Sequence, residues 1–162
     1  MTSALIQIQA LEGTDDVKQV RALFKEYANS LDIDLCFQNF EAELAGLPGD
    51  YAPPRGALFI ARSAHGMVGC CALRPLDTAD YPNACEMKRL YVRPALRGKG
   101  LGRRLAEAVI QAAQQAGYTY VLLDTLSEME TARAMYQELG FVEVAPYYFN
   151  PVEGAHYLMA RL

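Results

Sequence analysis

The 162-residue chain is 52% hydrophobic and 21% charged, with a net charge of −4. This composition suits one globular domain with a sizeable core and excludes a mainly disordered chain. No apolar run approaches the roughly 20 residues of a membrane span, and the global acidity argues against bulk nucleic acid or a membrane surface as partner.

In chain order, residues 4–10 read as a strand, with Ile6, Ile8 and Ala10 on one face and Gln7 and Gln9 on the other. The start lacks the basic stretch of a signal peptide. Thr14 is placed to cap a helix whose positive first turn carries Asp15 and Asp16. Val17, Val20, Phe24, Tyr27 and Leu31 form its apolar stripe. Phe37, Phe40, Leu44 and Leu47 repeat that spacing and predict a shorter second helix. Pro48, Pro53 and Pro54 make 47–56 a loop. Residues 57–62 and 67–74 are strands of a hairpin turning across 63–66.

Residues 84–93 form the next strand, stopped by Pro94. Regular alternation would set Glu86, Lys88, Leu90 and Val92 on one face. A helix runs from about Gly100 to Gly117, with Leu101, Leu105, Ala108 and Val109 in register. Residues 119–125 are an apolar run expected of a strand covered on both faces. Ser127 and Glu130 fit a capping box opening a helix that carries Ala132, Met135, Tyr136 and Leu139. Residues 141–144 and 155–162 are the closing strands. The strand–helix–strand passage from 84 to 125 implies a right-handed crossover between parallel neighbours. Hairpins on either side make the sheet mixed, so the class is α/β or α+β, in one domain spanning 1–162. Cys36, Cys70, Cys71 and Cys85 show no CxxC spacing. Neither a metal site nor a disulfide framework is expected, and a reducing cytoplasm is the default compartment.

The charge is unevenly spread. Seven of the fifteen Lys and Arg residues, and no acidic one, fall within 88–104. Inside that stretch, Arg97-Gly98-Lys99-Gly100-Leu101-Gly102 joins a strand to a helix, where backbone N–H groups lack partners. Glycines allow close approach and the helix dipole favours an anion, so phosphate or pyrophosphate is the expected ligand. Arg97, Lys99 and Arg103 would add charge-assisted contacts. No GxxxxGK[ST] run exists, and the glycine spacing fails GxGxxG/A.

What remains is Arg97-x-x-Gly100-x-Gly102, preceded by Leu90-Tyr91-Val92-x-Pro94 and followed by Tyr136-x-x-Leu139-Gly140-Phe141. This set, spread over most of the chain, resembles the GNAT superfamily of acyl-CoA-dependent N-acetyltransferases. The resemblance implies a mixed, mostly antiparallel sheet flanked by about four helices. It implies acetyl-CoA as co-substrate, with Arg97, Gly98, Lys99, Gly100, Leu101, Gly102 and Arg103 at the pyrophosphate. The backbone of Leu90, Tyr91 and Val92 would hold the pantetheine arm, and members of the family tend to carry a bulge in this strand that would change the facing downstream of Glu86. Tyr136 would protonate the departing thiolate, with packing in the core as its rival role. Glu86 would take the amine proton, with a structural ion pair to Lys88 as an equal alternative. Where the family often carries Asn, Met129 stands, so that contact is lost or supplied by a neighbour such as Ser127.

Acetyl would pass to a primary amine of a small molecule or peptide by direct attack in a ternary complex, without a metal. The rival reading is a non-catalytic acyl-CoA-binding module. By the same resemblance the acceptor meets the first two helices and the C-terminal hairpin, here Tyr27, Phe37, Phe40, Glu41, Tyr147, Tyr148, Asn150 and Tyr157. Aromatic walls near Asp32, Asp34, Glu41 and Glu43 would suit a cationic amine, although these rings serve a core or a homodimer contact equally well.

Overall fold

The computed structural model describes residues 6–31, 39–78, 80–127 and 129–162. Among them the chain runs through β1 (Gln7–Ala10), α1 (Gly13–Leu31), α2 (Phe40–Ala45), β2 (Ala57–Ser63), β3 (Gly66–Leu76) and β4 (Ala84–Val92). It continues through α3 (Leu101–Gln115), β5 (Tyr120–Leu126), α4 (Glu130–Glu138), β6 (Val142–Val144) and β7 (Ala155–Arg161). The strands form one sheet in the order β1-β2-β3-β4-β5-β7-β6. Only β4 and β5 are parallel, joined by the α3 crossover, so the sheet is mixed and mostly antiparallel.

Two apolar clusters sandwich the sheet. Val20, Leu23 and Phe24 of α1 and Phe40 and Leu44 of α2 cover one face, against Leu58, Ile60, Cys70, Ala72 and Tyr91. Leu101, Leu105, Val109 and Ala113 of α3, with Tyr136 of α4, cover the other, against Cys71, Cys85, Met87 and Val121. The adjacent Cys70 and Cys71 thus face opposite layers, both buried and free. No helix among the described residues is long and apolar enough to cross a membrane.

Two expected caps are made differently. Helix α1 already begins at Gly13, and Asp16 does the work assigned to Thr14. Its Oδ2 accepts the Glu12 N–H at 3.0 Å and its Oδ1 accepts Arg62 Nη2 at 2.6 Å, tying the helix start to β2. Burial raises the Asp16 pKa, but the Glu12 N–H and Arg62 together hold it below the ordinary value of 3.8. Helix α4 begins at Glu130 with Met129 at the N-cap and no side-chain cap bond. Ser127, expected to cap it, bonds instead to Gly154 O at 3.1 Å and His156 Nε2 at 2.6 Å.

The decisive irregularity is in β4. Cys70 pairs with Tyr91, and the next paired residue, Ala72, pairs with Lys88, so Arg89 and Leu90 both oppose Cys71. Arg89 takes φ of +62°, left-handed geometry that costs an L residue about 1–2 kcal/mol. The bulge reverses the facing downstream. Glu86 and Lys88 no longer share a face with Leu90 and Val92, which pack on the α3 side with Met87, while Tyr91 turns to the α1 side. Simple alternation fails here because one extra residue shifts a period-two pattern by one.

Arg89 is held from above. Its Nε and Nη2 reach Glu43 Oε2 and Oε1 at 2.9 and 2.8 Å, and its guanidinium lies 5.2 Å from the Phe40 ring centre and 6.0 Å from that of Tyr27. The pair is buried, and burial, which alone would lower the Arg89 pKa, is outweighed by the Glu43 bond, so the net shift is upward. Glu43→Ala should cost about 3–5 kcal/mol in urea unfolding, as expected when one partner of a buried ion pair is removed. A loss below about 1 kcal/mol, the range of exposed pairs, would show that Glu43 does not hold the bulge.

Candidate active site

β4 and β5 pair only where Ala84, Cys85 and Glu86 face Tyr120, Val121 and Leu122. Beyond that point β4 stays on β3 and β5 stays on β7, so the two parallel strands part. Between them opens a cleft of about 1460 Å³, lined by residues 87–92 and 123–126, the turn into α3 and one side of α4. Residues 87–92 have no β5 partner on that side, which leaves backbone groups facing the gap.

At one end stands the glycine turn. Gly98 and Gly100 take φ of +81° and +75°, the left-handed region that glycine enters without strain. Gly100 is the N-cap of α3 and no side chain caps the helix. The first helical bond there runs from Arg104 N to Gly100 O, so the N–H groups of Leu101, Gly102 and Arg103 have no partner inside the helix. A Cβ built on Gly102 would meet only Val92 Cγ2, at 4.0 Å, so open space lies over this turn. Arg97 Nε donates to Val92 O at 2.9 Å, with its guanidinium 5.8 Å from the Tyr91 ring centre. Arg103 spans from α3 to α4, 2.5 Å from Glu138 and 3.7 Å from Glu107. Leu90, Tyr91, Val92, Arg97, Gly98, Gly100, Leu101, Gly102 and Arg103 all line the cleft; Lys99 is in the turn but not in the lining. Together these features match what a pyrophosphate with an extended arm needs.

Tyr136 lines the cleft and packs edge-on against Phe141, 5.5 Å between ring centres. Burial raises its pKa well above 10, helped by Cys71, Tyr27 and Asp124, so the phenol keeps its proton at any working pH. That state is the one a proton donor requires.

The carboxylates near the β4–β5 split, Glu86 and Asp124, divide differently from the sequence expectation. Glu86 is 1% exposed and does not line the cleft. Its Oε1 is held by Arg74 Nε and Nη2, both at 2.9 Å, and its Oε2 accepts the Tyr147 hydroxyl at 2.6 Å. The ion-pair partner is therefore Arg74 across the β3–β4 ladder, and not Lys88. Asp124, which sequence reasoning passed over, does line the cleft. Its Oδ2 accepts Tyr148 OH at 2.5 Å and Asn150 Nδ2 at 2.9 Å. The available signal was a single acid inside the otherwise apolar strand 119–125.

Tyr27 lines the cleft, and burial above all pushes its pKa up to about 12. Tyr147, Tyr148 and Tyr157 form a mutual ring cluster, centres 5.4 to 5.6 Å apart, that seats the β6–β7 connection on β5 and brings Asn150 to the cleft. Phe40 is core beneath Arg89. Glu41 is exposed on α2 away from the lining, while Glu43 on the same helix holds Arg89. Phe37, Asp32 and Asp34 lie outside the described residues. Ser127 is not in the lining either.

The pattern of the acetyltransferase (GNAT) family matches residues 17–141. An uncharacterised N-acetyltransferase of Schizosaccharomyces pombe is 39% identical, across 100% of this chain and 98% of its own. YjgM, an uncharacterised N-acetyltransferase of Escherichia coli, is 30% identical, across 77% of this chain and 73% of its own. The chain belongs to the GNAT family. A solved acetyltransferase from Streptococcus agalactiae shares the fold, with a TM-score of 0.78 over 97% of this chain and 98% of its own at 23% identity.

As a GNAT acetyltransferase, the chain joins a family that generally uses acetyl-CoA as co-substrate. The uncapped α3 start, the two left-handed glycines and the open space over Gly102 fit its pyrophosphate. Gly102→Asp should abolish coenzyme A binding in calorimetry, because a carboxylate would stand where the anion docks. Unchanged affinity in a folded variant would remove the turn from the binding site.

Proposed function

We propose that the chain transfers an acetyl group from acetyl-CoA to a primary amine of a small molecule or peptide, by direct attack in a ternary complex within one catalytic domain. The observation that carries this reading is that one cleft is lined by all three kinds of group: the cationic glycine turn, the protonated Tyr136, and the carboxylate-bearing Asp124. The α3 N–H groups and Arg97 hold the diphosphate, and the backbone of Leu90–Val92 directs the pantetheine arm toward Tyr136. Tyr136 donates its proton to the departing sulfur. A module that only bound acyl-CoA would need the turn but neither Tyr136 nor a carboxylate in the same cleft.

On the acceptor side, Asp124 attracts the ammonium form of the amine, whose ordinary pKa is ~10. The ammonium first gives one proton to solvent; the neutral nitrogen then attacks the thioester carbon, and Asp124 takes the proton that nitrogen releases as the C–N bond forms and the C–S bond breaks. Tyr148 and Asn150 fix the carboxylate for that task. Glu86, anchored by Arg74, acts one step behind as a positioning residue that orients Tyr147.

Tyr136→Phe should lower kcat about 10²–10⁴-fold while leaving coenzyme A affinity near that of the parent. Turnover close to the parent would assign Tyr136 to packing alone. In a thiol-release screen, polyamines and amino-terminal peptides should outrun neutral acceptors, and Asp124→Asn should erase that preference by raising the KM for cationic acceptors at least about tenfold. Preference for a neutral acceptor, or an unchanged KM in Asp124→Asn, would overturn this acceptor assignment.

A further inference from the structure

Outside the cleft, three side chains from three separate elements meet in a line. Ser127, just past the end of β5, has its Oγ 2.6 Å from His156 Nε2 on β7, and His156 Nδ1 lies 2.9 Å from Glu143 Oε2 on β6. None of the three lines the coenzyme cleft. A carboxylate accepts hydrogen bonds only, so Glu143 requires the proton on Nδ1. In the neutral imidazole that leaves the Nε2 lone pair toward Ser127, so the single hydroxyl proton, which Gly154 O at 3.1 Å can also accept, has Nε2 at 2.6 Å as its shorter-range acceptor. This is the connectivity by which an acid–histidine pair activates a serine.

Three further observations separate this line from an ordinary surface hydrogen bond. Ser127 is exposed, at a strand-to-helix corner, while the His156 ring is 23% exposed and so is held by its surroundings. The residue opposite is Gly154, at φ +84°, whose O lies 3.1 Å from Ser127 Oγ, and a Cβ there would stand 3.3 Å from the same oxygen, so the glycine keeps side-chain bulk off the hydroxyl. Arg133 Nη1 donates to Ser127 O at 3.1 Å, keeping a cation beside the same residue.

We propose that Ser127, His156 and Glu143 form a second nucleophilic centre, which takes a short acyl group from a carboxylic ester onto Ser127 and passes it to water. Ser127 Oγ bonds to the acyl carbon as its proton moves to His156 Nε2. Negative charge on the acyl oxygen is met by Arg133. The ester C–O bond breaks, and the alkoxide leaves with the proton from Nε2. Water then adds to the acyl carbon, giving its proton to Nε2, and Oγ recovers that proton as the carboxylic acid departs. The net change is ester plus water to acid plus alcohol. Glu143 is a positioning residue that fixes the tautomer.

The test uses the whole chain with a fluorophosphonate probe, the adduct mapped by peptide mass spectrometry, and p-nitrophenyl acetate as ester. The expected result is labelling at Ser127, with ester hydrolysis reduced about 10²-fold or more in Ser127→Ala. His156→Gln leaves the hydroxyl in place and should lose both signals at an unchanged melting temperature, which separates chemistry from folding. Glu143→Gln should slow labelling and Glu143→Asp should restore part of the rate. No adduct on Ser127 in the folded parent, or hydrolysis in Ser127→Ala equal to the parent's, would overturn the proposal.

Discussion

The cleft depends on a single backbone departure, the bulge at Arg89. A regular β4 would keep Glu86, Lys88, Leu90 and Val92 on one face. The extra residue moves Leu90 and Val92 to the α3 side, next to the turn that follows. Arg89 endures a left-handed φ because its guanidinium is clamped by Glu43 and packed between Phe40 and Tyr27. The short helix α2 is thus coupled to the shape of a cleft on which it contributes no wall. Strain retained at a functional site and offset by surrounding contacts is a common arrangement.

Around that bulge, charge is organised by pairing. Glu86 takes Arg74 and Tyr147, Arg89 takes Glu43, and Arg93 takes Glu26 at the rim through bonds of 2.7 and 3.1 Å. Lys88, which lines the cleft, has its pKa lowered mainly by burial and further by Arg89 and Arg74, against the opposing pull of Glu86 and Asp124. The buried groups among these, Glu86, Lys88 and Arg89, carry little net stabilisation beyond hydrophobic alternatives, but each is costly to leave alone. Their effect is specificity of shape: they set which carboxylate, Asp124 or Glu86, borders the cleft.

Much of this was readable along the chain. The α3 stripe, the parallel crossover and the hairpins followed from periodicity and from glycine and proline punctuation, all of which are local signals. Arg97, Gly98, Gly100 and Gly102 marked a tight turn with an open helix start because positive φ and an uncapped helix start are encoded within six residues. Tyr136 was placed by its spacing to Leu139-Gly140-Phe141. The misplacements share one cause. Ser127 was read as a cap for α4, yet its partners, Gly154 and His156, are 27 and 29 residues away. Thr14 lost its role to Asp16, whose reach back to Glu12 is reinforced from β2 by Arg62. Lys88 seemed a natural partner for Glu86 at two residues' distance, but the antiparallel ladder sets Arg74 directly opposite.

By itself the sequence determined the order and type of the elements, the family, the glycine turn and the position of Tyr136 on α4. Those depend on backbone preferences and spacings that act over one or two turns of chain. Tertiary structure alone decided that Glu86 is sealed behind Arg74 and Tyr147, that Asp124 borders the cleft, and that Ser127, His156 and Glu143 meet. Each of these is a choice among partners far apart in sequence, and packing settles it by admitting only pairs whose distance and burial allow both charges to be satisfied.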